Sequence, residues 1–278
     1  MTKKVLPAMI GVALAGSMSA TIADVVLFGH IDTSWDFVDV DGAFDDNNLH
    51  CTTCSVGFKG SEDLGNGLKA IFKLDFQYNT TERNGRSSSG QQNDTLGTEP
   101  LADAITDRDQ WLGLAGGFGQ FRIGTISTVY KSHGAMIDPL YRTALQGRDR
   151  GLQSNYFHSG AGEEGQGRAT NTFRYDSPSF NGFKVGAHYT LDNNEIADGE
   201  DNNPYGIGAS YSNGGILAFA DYITNDSSTA TTGDLEAWKV GGKYSLNNFA
   251  VMAQYEDADE LDGVADQETT NWHVGGSY

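Results

Sequence analysis

From Val25 to Tyr278 the chain alternates two kinds of connection, and this rhythm restricts its fold more than any other feature. Tight links rich in Gly, Asn and Ser fall at 61–67, 116–119, 179–182, 213–215 and 246–248, and long acidic stretches lie between them. The segments they join are two-faced and about ten residues long, the length that crosses a bilayer obliquely as a β-strand. Tight turns at one end and large loops at the other predict an antiparallel barrel set in a membrane.

The N-terminus carries Lys3 and Lys4, then an apolar stretch from Val5 to Gly16, then the small-residue run Ser17 to Ala23. That order reads as a secretory signal peptide over 1–23, leaving one β domain over 24–278. No apolar run of helical-span length follows, but a barrel hides its apolar content by alternation. The net charge of -19 argues against nucleic-acid binding. Its acids concentrate in 39–46, 192–201 and 256–266, which are expected to be solvated loop tips. The two cysteines, Cys51 and Cys54, flank Thr52-Thr53 and are expected to form a small disulfide staple in an oxidising compartment.

Twelve strands are expected, near 25–38, 54–60, 68–79, 109–116, 120–126, 170–177, 183–191, 204–212, 215–223, 235–244, 249–256 and 270–278. In the third, Leu68, Ala70, Phe72, Leu74, Phe76 and Tyr78 alternate with Lys69, Lys73, Asp75 and Gln77. Alternation alone fits a soluble sandwich as well as a barrel turned inside out. Tyr175, Tyr189, Tyr211, Tyr222, Tyr244, Tyr255 and Tyr278 lie on apolar faces near strand ends, where a membrane-interface girdle would place them. The segment from Trp238 to Tyr244 is nearly repeated from Trp272 to Tyr278. After the first copy the chain turns into another strand, so either Tyr278 is a true terminal aromatic or the chain is cut where a turn and further strands would follow.

Three blocks, Gly57–Ala70, Leu112–Gly124 and Asn171–Pro178, resemble the general porins of the Gram-negative outer membrane. The resemblance implies a homotrimer of 16-stranded, water-filled channels amid outer-membrane lipid and lipopolysaccharide, each narrowed by an inward-folded third loop. On that pattern the chain is about four strands short and ends in Tyr where such porins commonly end in Phe, so a C-terminally truncated porin is expected over a genuine twelve-stranded barrel.

The stretch from Ser127 to Arg168 holds no convincing strand and is too long for an ordinary connection. It stands where the resembled family carries its constriction loop. Tyr130 and the run Ile137-Asp138-Pro139-Leu140-Tyr141 give it apolar anchors, with the barrel interior as host. If Phe58, Phe72, Phe121 and Phe173 face lipid, then Lys59, Lys73, Arg122 and Arg174 face the lumen. Asp138 is the expected acidic partner across the constriction, ahead of Glu163 and Glu164, and Arg142, Arg148 and Arg150 add positive charge to the loop. The plainer alternative pairs the wall cations with strand carboxylates such as Asp75 and Asp176.

Scattered histidines, without a metal-ligand pair or a nucleophile elbow, point to no enzyme, cofactor or metal. The reading is passive diffusion of small hydrophilic solutes and ions. Its rivals are a secreted β-sandwich that binds carbohydrate and an outer-membrane adhesin barrel with a plugged lumen.

Overall fold

The computed structural model describes residues 24–40, 44–51, 53–78, 80–81, 105–143, 146–147, 167–191, 203–225, 235–259 and 268–278. The expected signal peptide, Glu163, Glu164, Arg148 and Arg150 lie outside the described residues.

The strands are β1 (Asp24–His30), β2 (Thr33–Val40), β3 (Phe44–Cys51), β4 (Ser55–Gly65), β5 (Leu68–Tyr78), β6 (Ile105–Gly116) and β7 (Gly119–Ser127), then, after helix α1 (Val129–Ile137), β8 (Arg168–Asp176), β9 (Phe183–Thr190), β10 (Tyr205–Asn213), β11 (Ile216–Asn225), β12 (Leu235–Leu246), β13 (Phe249–Asp259) and β14 (Thr269–Ser277). Twelve of them form one antiparallel sheet in the order β1-β4-β5-β6-β7-β8-β9-β10-β11-β12-β13-β14. Each expected strand has its counterpart in that sheet. The tight links turn as expected: Asn181 and Gly182 have φ of 52° and 93°, Gly214 and Gly215 of 57° and 85°, the left-handed pairs that suit two-residue hairpins.

Two expectations need correction. The first strand does not run unbroken over 25–38; it breaks after His30, and β2 pairs with β3 in a separate two-stranded sheet. The polar run Asp45-Asp46-Asn47-Asn48 reads as loop, yet a hairpin tied to another hairpin strand needs no apolar face to satisfy its ladder. The acids of 256–266 are not all loop either, since β13 extends to Asp259 and Glu256 is 1% exposed.

Burial settles which way the sheet faces. Along β13, Val251, Ala253 and Tyr255 are exposed while Met252, Gln254, Glu256 and Ala258 are buried. Lys239 is 0% exposed whereas Val240 beside it is 45% exposed. A soluble sandwich hides its apolar faces between two sheets; here one wall turns them outward and its charges inward, as a membrane barrel does. The aromatics fix the bilayer band. Phe183 and Tyr189, Tyr205 and Tyr211, Trp238 and Tyr244, Phe249 and Tyr255, and Trp272 and Tyr278 each stand six positions apart on outward faces, ~20 Å along a strand. Two girdles result, and the near-repeat of β12 in β14 is a strand that carries both.

Candidate functional site

Helix α1 begins where the Thr128 hydroxyl accepts from the Lys131 backbone N–H at 3.1 Å, and it ends at Asp138, ahead of Pro139. Val129, Ser132 and Gly134 are poor helix formers, so the sequence gives little sign of it; docking stabilises it instead. Tyr130, Gly134 and Ile137 are buried against the inner wall, which the helix meets along β9 to β13.

Glycines on the inward face make the seat. A Cβ at Gly208 would lie 2.7 Å from Val129 Cγ1 and 2.0 Å from Asp221 Oδ1, and one at Gly241 would lie 3.0 Å from Ile137 Cδ1. Gly275, the counterpart of Gly241 in the near-repeat, underlies Pro139 in the same way at 3.0 Å. The repeat thus floors one continuous stretch of the loop. Substituting Gly208→Val should displace the helix N-terminus; two such contacts cannot both relax, and the folded fraction in a heat-modified gel shift should fall while Ala209→Val, on the outward face, leaves it unchanged.

Polar groups pin what the glycines admit. The Tyr130 hydroxyl donates to Glu256 Oε2 at 2.5 Å, and Asn271 donates to Glu256 Oε1 at 2.9 Å. Lys239 Nζ donates to the Tyr130 carbonyl, stands 3.7 Å over the Tyr130 ring, and lies 3.9 Å from Asp221. His133 Nδ1 meets Asp221 Oδ1 at 2.6 Å. Burial, reinforced by the Glu256 charge, raises the Tyr130 phenol well above its ordinary value and keeps it a donor. Ile137 packs with Leu217, Phe219 and Met252.

The facing wall is basic. Lys59, Lys73, Arg122 and Arg174 stand on β4, β5, β7 and β8, all inward, with Phe58, Phe121 and Phe173 exposed on the opposite face. Lys59 and Lys73 flank the Phe28 ring at 5.5 and 5.4 Å. Lys73 pairs with Asp109 at 2.9 Å and Asp75 at 3.2 Å. Arg122 pairs with Asp176, and Arg174 meets Asp176 at 2.7 Å while donating to the Ser127 carbonyl at 2.5 Å and Ser132 Oγ at 2.8 Å. Arg174 therefore joins the basic wall to the start of the helix. Lys131 on the helix and Arg108 and Arg168 on the wall, each at most 3% exposed, add to the same region.

A β-bulge explains Arg108, and a second interrupts β8. Arg108 and Asp109 together oppose Asp75, and Thr170 and Asn171 together oppose Thr125. Strict alternation would turn Arg108 out and Asp109 in; the bulge turns both inward, so the period-two pattern misses this part of the cluster. The seat glycines and Lys239 were equally hidden, although small residues at alternate inward positions, as in Gly206-Ile207-Gly208, mark a close-packed face.

Asp138, the acid expected opposite the four wall cations, stands at the end of the helix. Its carboxylate accepts from the Leu140 N–H at 2.9 Å and the Gly147 N–H at 2.7 Å, closing the turn after the helix, and it acts on His273 of β14. Arg142 has a left-handed φ of 73°, and its charge acts on His30 of β1. Arg122 borders two cavities, one of about 250 Å³ with Lys131, Tyr141 and Arg174 and one of about 470 Å³ with His133, Asp176 and Lys184. Cys51 and Cys54 are joined, their Cα atoms 5.8 Å apart, at the base of the β2–β3 hairpin. They belong to the hairpin's attachment, beside Asp32 and Thr80, just ahead of β4.

Residues 7–278 match the Gram-negative porin family. The major outer membrane protein P.IB of Neisseria meningitidis serogroup B is 30% identical over 217 residues, which are 75% of this chain and 56% of that protein. Its counterpart in Neisseria lactamica is 28% identical over 278 residues, 90% of this chain and 71% of the relative. The chain spans about 56% of the length of the N. meningitidis relatives. Among solved structures, an anion-selective porin from Comamonas acidovorans superposes with a TM-score of 0.72 over 91% of this chain and 74% of that one, at 24% identity. An OmpF from Salmonella typhi in complex with daunomycin gives 0.65 over 91% and 73%, at 17% identity.

Proposed function

The chain belongs to the Gram-negative porin family, and from that premise we propose that it forms a water-filled outer-membrane channel for passive diffusion of small hydrophilic solutes and ions. The observation that carries this reading is the α1 loop folded inward against a charged wall, leaving cavities on both sides of Arg122. The constriction is set by Lys59, Lys73, Arg122 and Arg174 with Lys131 from the helix, countered by Asp75, Asp109 and Asp176; Arg142 lines the mouth above them. In keeping with the family, residues 1–23 serve as a signal peptide, Cys51–Cys54 forms on export, and the channel works as a homotrimer among outer-membrane lipid and lipopolysaccharide.

Charge at the narrowing sets ion preference. Along β4 to β8 the inward cations outnumber the inward carboxylates, and the loop adds Lys131, so the narrow zone favours anions. Acidic loops at the mouth act over only ~8 Å at physiological salt, and they attract cations without controlling the narrowest passage. A plugged adhesin barrel would lack conduction. In planar bilayers the purified protein should give stepwise conductance, and a KCl gradient should give a reversal potential of the sign set by chloride. Absent conductance would overturn the channel, and a potassium-signed potential would overturn the anion preference.

A further inference from the structure

One cavity lies outside the lumen. It is a groove of about 760 Å³ on the outer face of β5 to β9, lined chiefly by Phe72, Leu74, Leu112, Ile123, Phe173 and Leu191. The bulge that turns Arg108 inward beside Asp109 and the bulge at Thr170 and Asn171 flank it. Each bends its strand away from the neighbour, so one backbone irregularity makes both the basic cluster inside and the crease outside.

The groove's position says what bathes it. Its lining belongs to the outward apolar face, and it lies in the half of the wall toward the long loops: Asn171 is near the start of β8 and Leu191 directly follows β9. At that end β10 to β14 carry the girdle residues Tyr205, Tyr222, Trp238, Tyr255 and Trp272. The row of paired residues Tyr189, Phe173, Ile123 and Leu112 is aliphatic where it crosses β7 and β6, so the girdle is interrupted where the groove opens. Two amides, Gln110 and the exposed Asn171, stand at the groove's rim. Asn171 holds a left-handed φ of 49° there. A polar side chain at the lipid interface calls for a polar partner, whereas the aliphatic floor calls for hydrocarbon.

We propose that this groove seats an acyl chain of lipid A, the glycolipid of the outer leaflet, with the Asn171 amide meeting the polar linkage through which the chain joins the sugar. An acyl chain supplies the hydrocarbon, and its amide- or ester-linked head lies at the depth of the broken girdle. The proposal rests on the outer-membrane reading above, and it names a site for the lipid partner.

Native mass spectrometry of the detergent-purified full chain, titrated separately with lipid A and with phosphatidylethanolamine, tests it. Lipid A adducts should persist on the native protein and weaken about tenfold in Ile123→Trp, which fills the groove, and in Asn171→Gly, which removes the amide but tolerates the backbone conformation. Val251→Trp, outward on β13, should bind as the native protein does. Equal retention by all variants, or stronger binding of phosphatidylethanolamine, overturns the site. So does an Ile123→Trp protein that binds lipid normally but loses its oligomer, which would assign the groove to a second copy of the chain. Conductance of the same samples separates the two readings, since conducting variants with unchanged lipid retention sink this inference alone.

Discussion

Replacing Arg122 and Arg174 together by Gln should remove most of the anion preference of the channel. The wild-type wall sets both guanidinium groups against one carboxylate, Asp176. In the double variant that carboxylate loses both partners, and the excess of positive charge beside it falls by two. Two charges near ~4 Å in a protein-like medium interact by ~4 kcal/mol. Screening leaves a fraction of that for a permeating ion, so the anion-to-cation permeability ratio should fall by about tenfold, the equivalent of ~1.4 kcal/mol. The reversal potential in a KCl gradient reads it. The triple variant with Asp176→Asn should recover part of the anion preference; if it does not differ from the double variant, the effect is not electrostatic. Arg122→Gln alone separates charge from anchoring, since Arg174 also holds Ser127 and Ser132.

Lys239→Met should release the loop. Lys239 is fully buried between the Tyr130 carbonyl and ring and the carboxylate of Asp221, with Glu256 directly across the sheet. Removing a buried ammonium while its acidic partners remain costs about 3 to 5 kcal/mol, because the carboxylates stay desolvated without compensation. A docked helix held by Tyr130, His133 and Ile137 cannot absorb that loss, so the loop should leave the wall. Expected readouts are open-channel noise and larger conductance steps, with faster tryptic cutting after Lys131 and Arg142. Tyr130→Phe removes one hydrogen bond and should give a smaller effect of the same sign, on the order of 1 kcal/mol. Steady conductance and native proteolysis in Lys239→Met would show that packing on the glycine seat alone holds the helix.

Much of this is legible in the sequence because a barrel strand repeats one simple rule. Alternation put Phe58, Phe121 and Phe173 outside and Lys59, Lys73, Arg122 and Arg174 inside, and Asn-Gly and Gly-Gly pairs placed the hairpins. The same rule fails where a bulge adds a residue to one strand, so Arg108 comes inside beside Asp109 against the local count. It also fails for partners far apart along the chain. Asp138 is the acid a constriction loop suggests, and its oxygens also close a turn with Leu140 and Gly147, while Asp75, Asp109 and Asp176 meet the wall cations from the strands themselves.

The sequence by itself determined an antiparallel membrane wall, its inward and outward faces, and a long segment that belongs inside it. A two-residue period and short-range turn chemistry are local properties, and they need only neighbouring residues to be read. Tertiary structure alone decided where that segment docks. Gly208, Gly241 and Gly275 come from three strands, and Tyr130 meets Glu256 across 126 positions. Contacts of that separation depend on how the sheet curves and on the register of each pair, which no local pattern encodes.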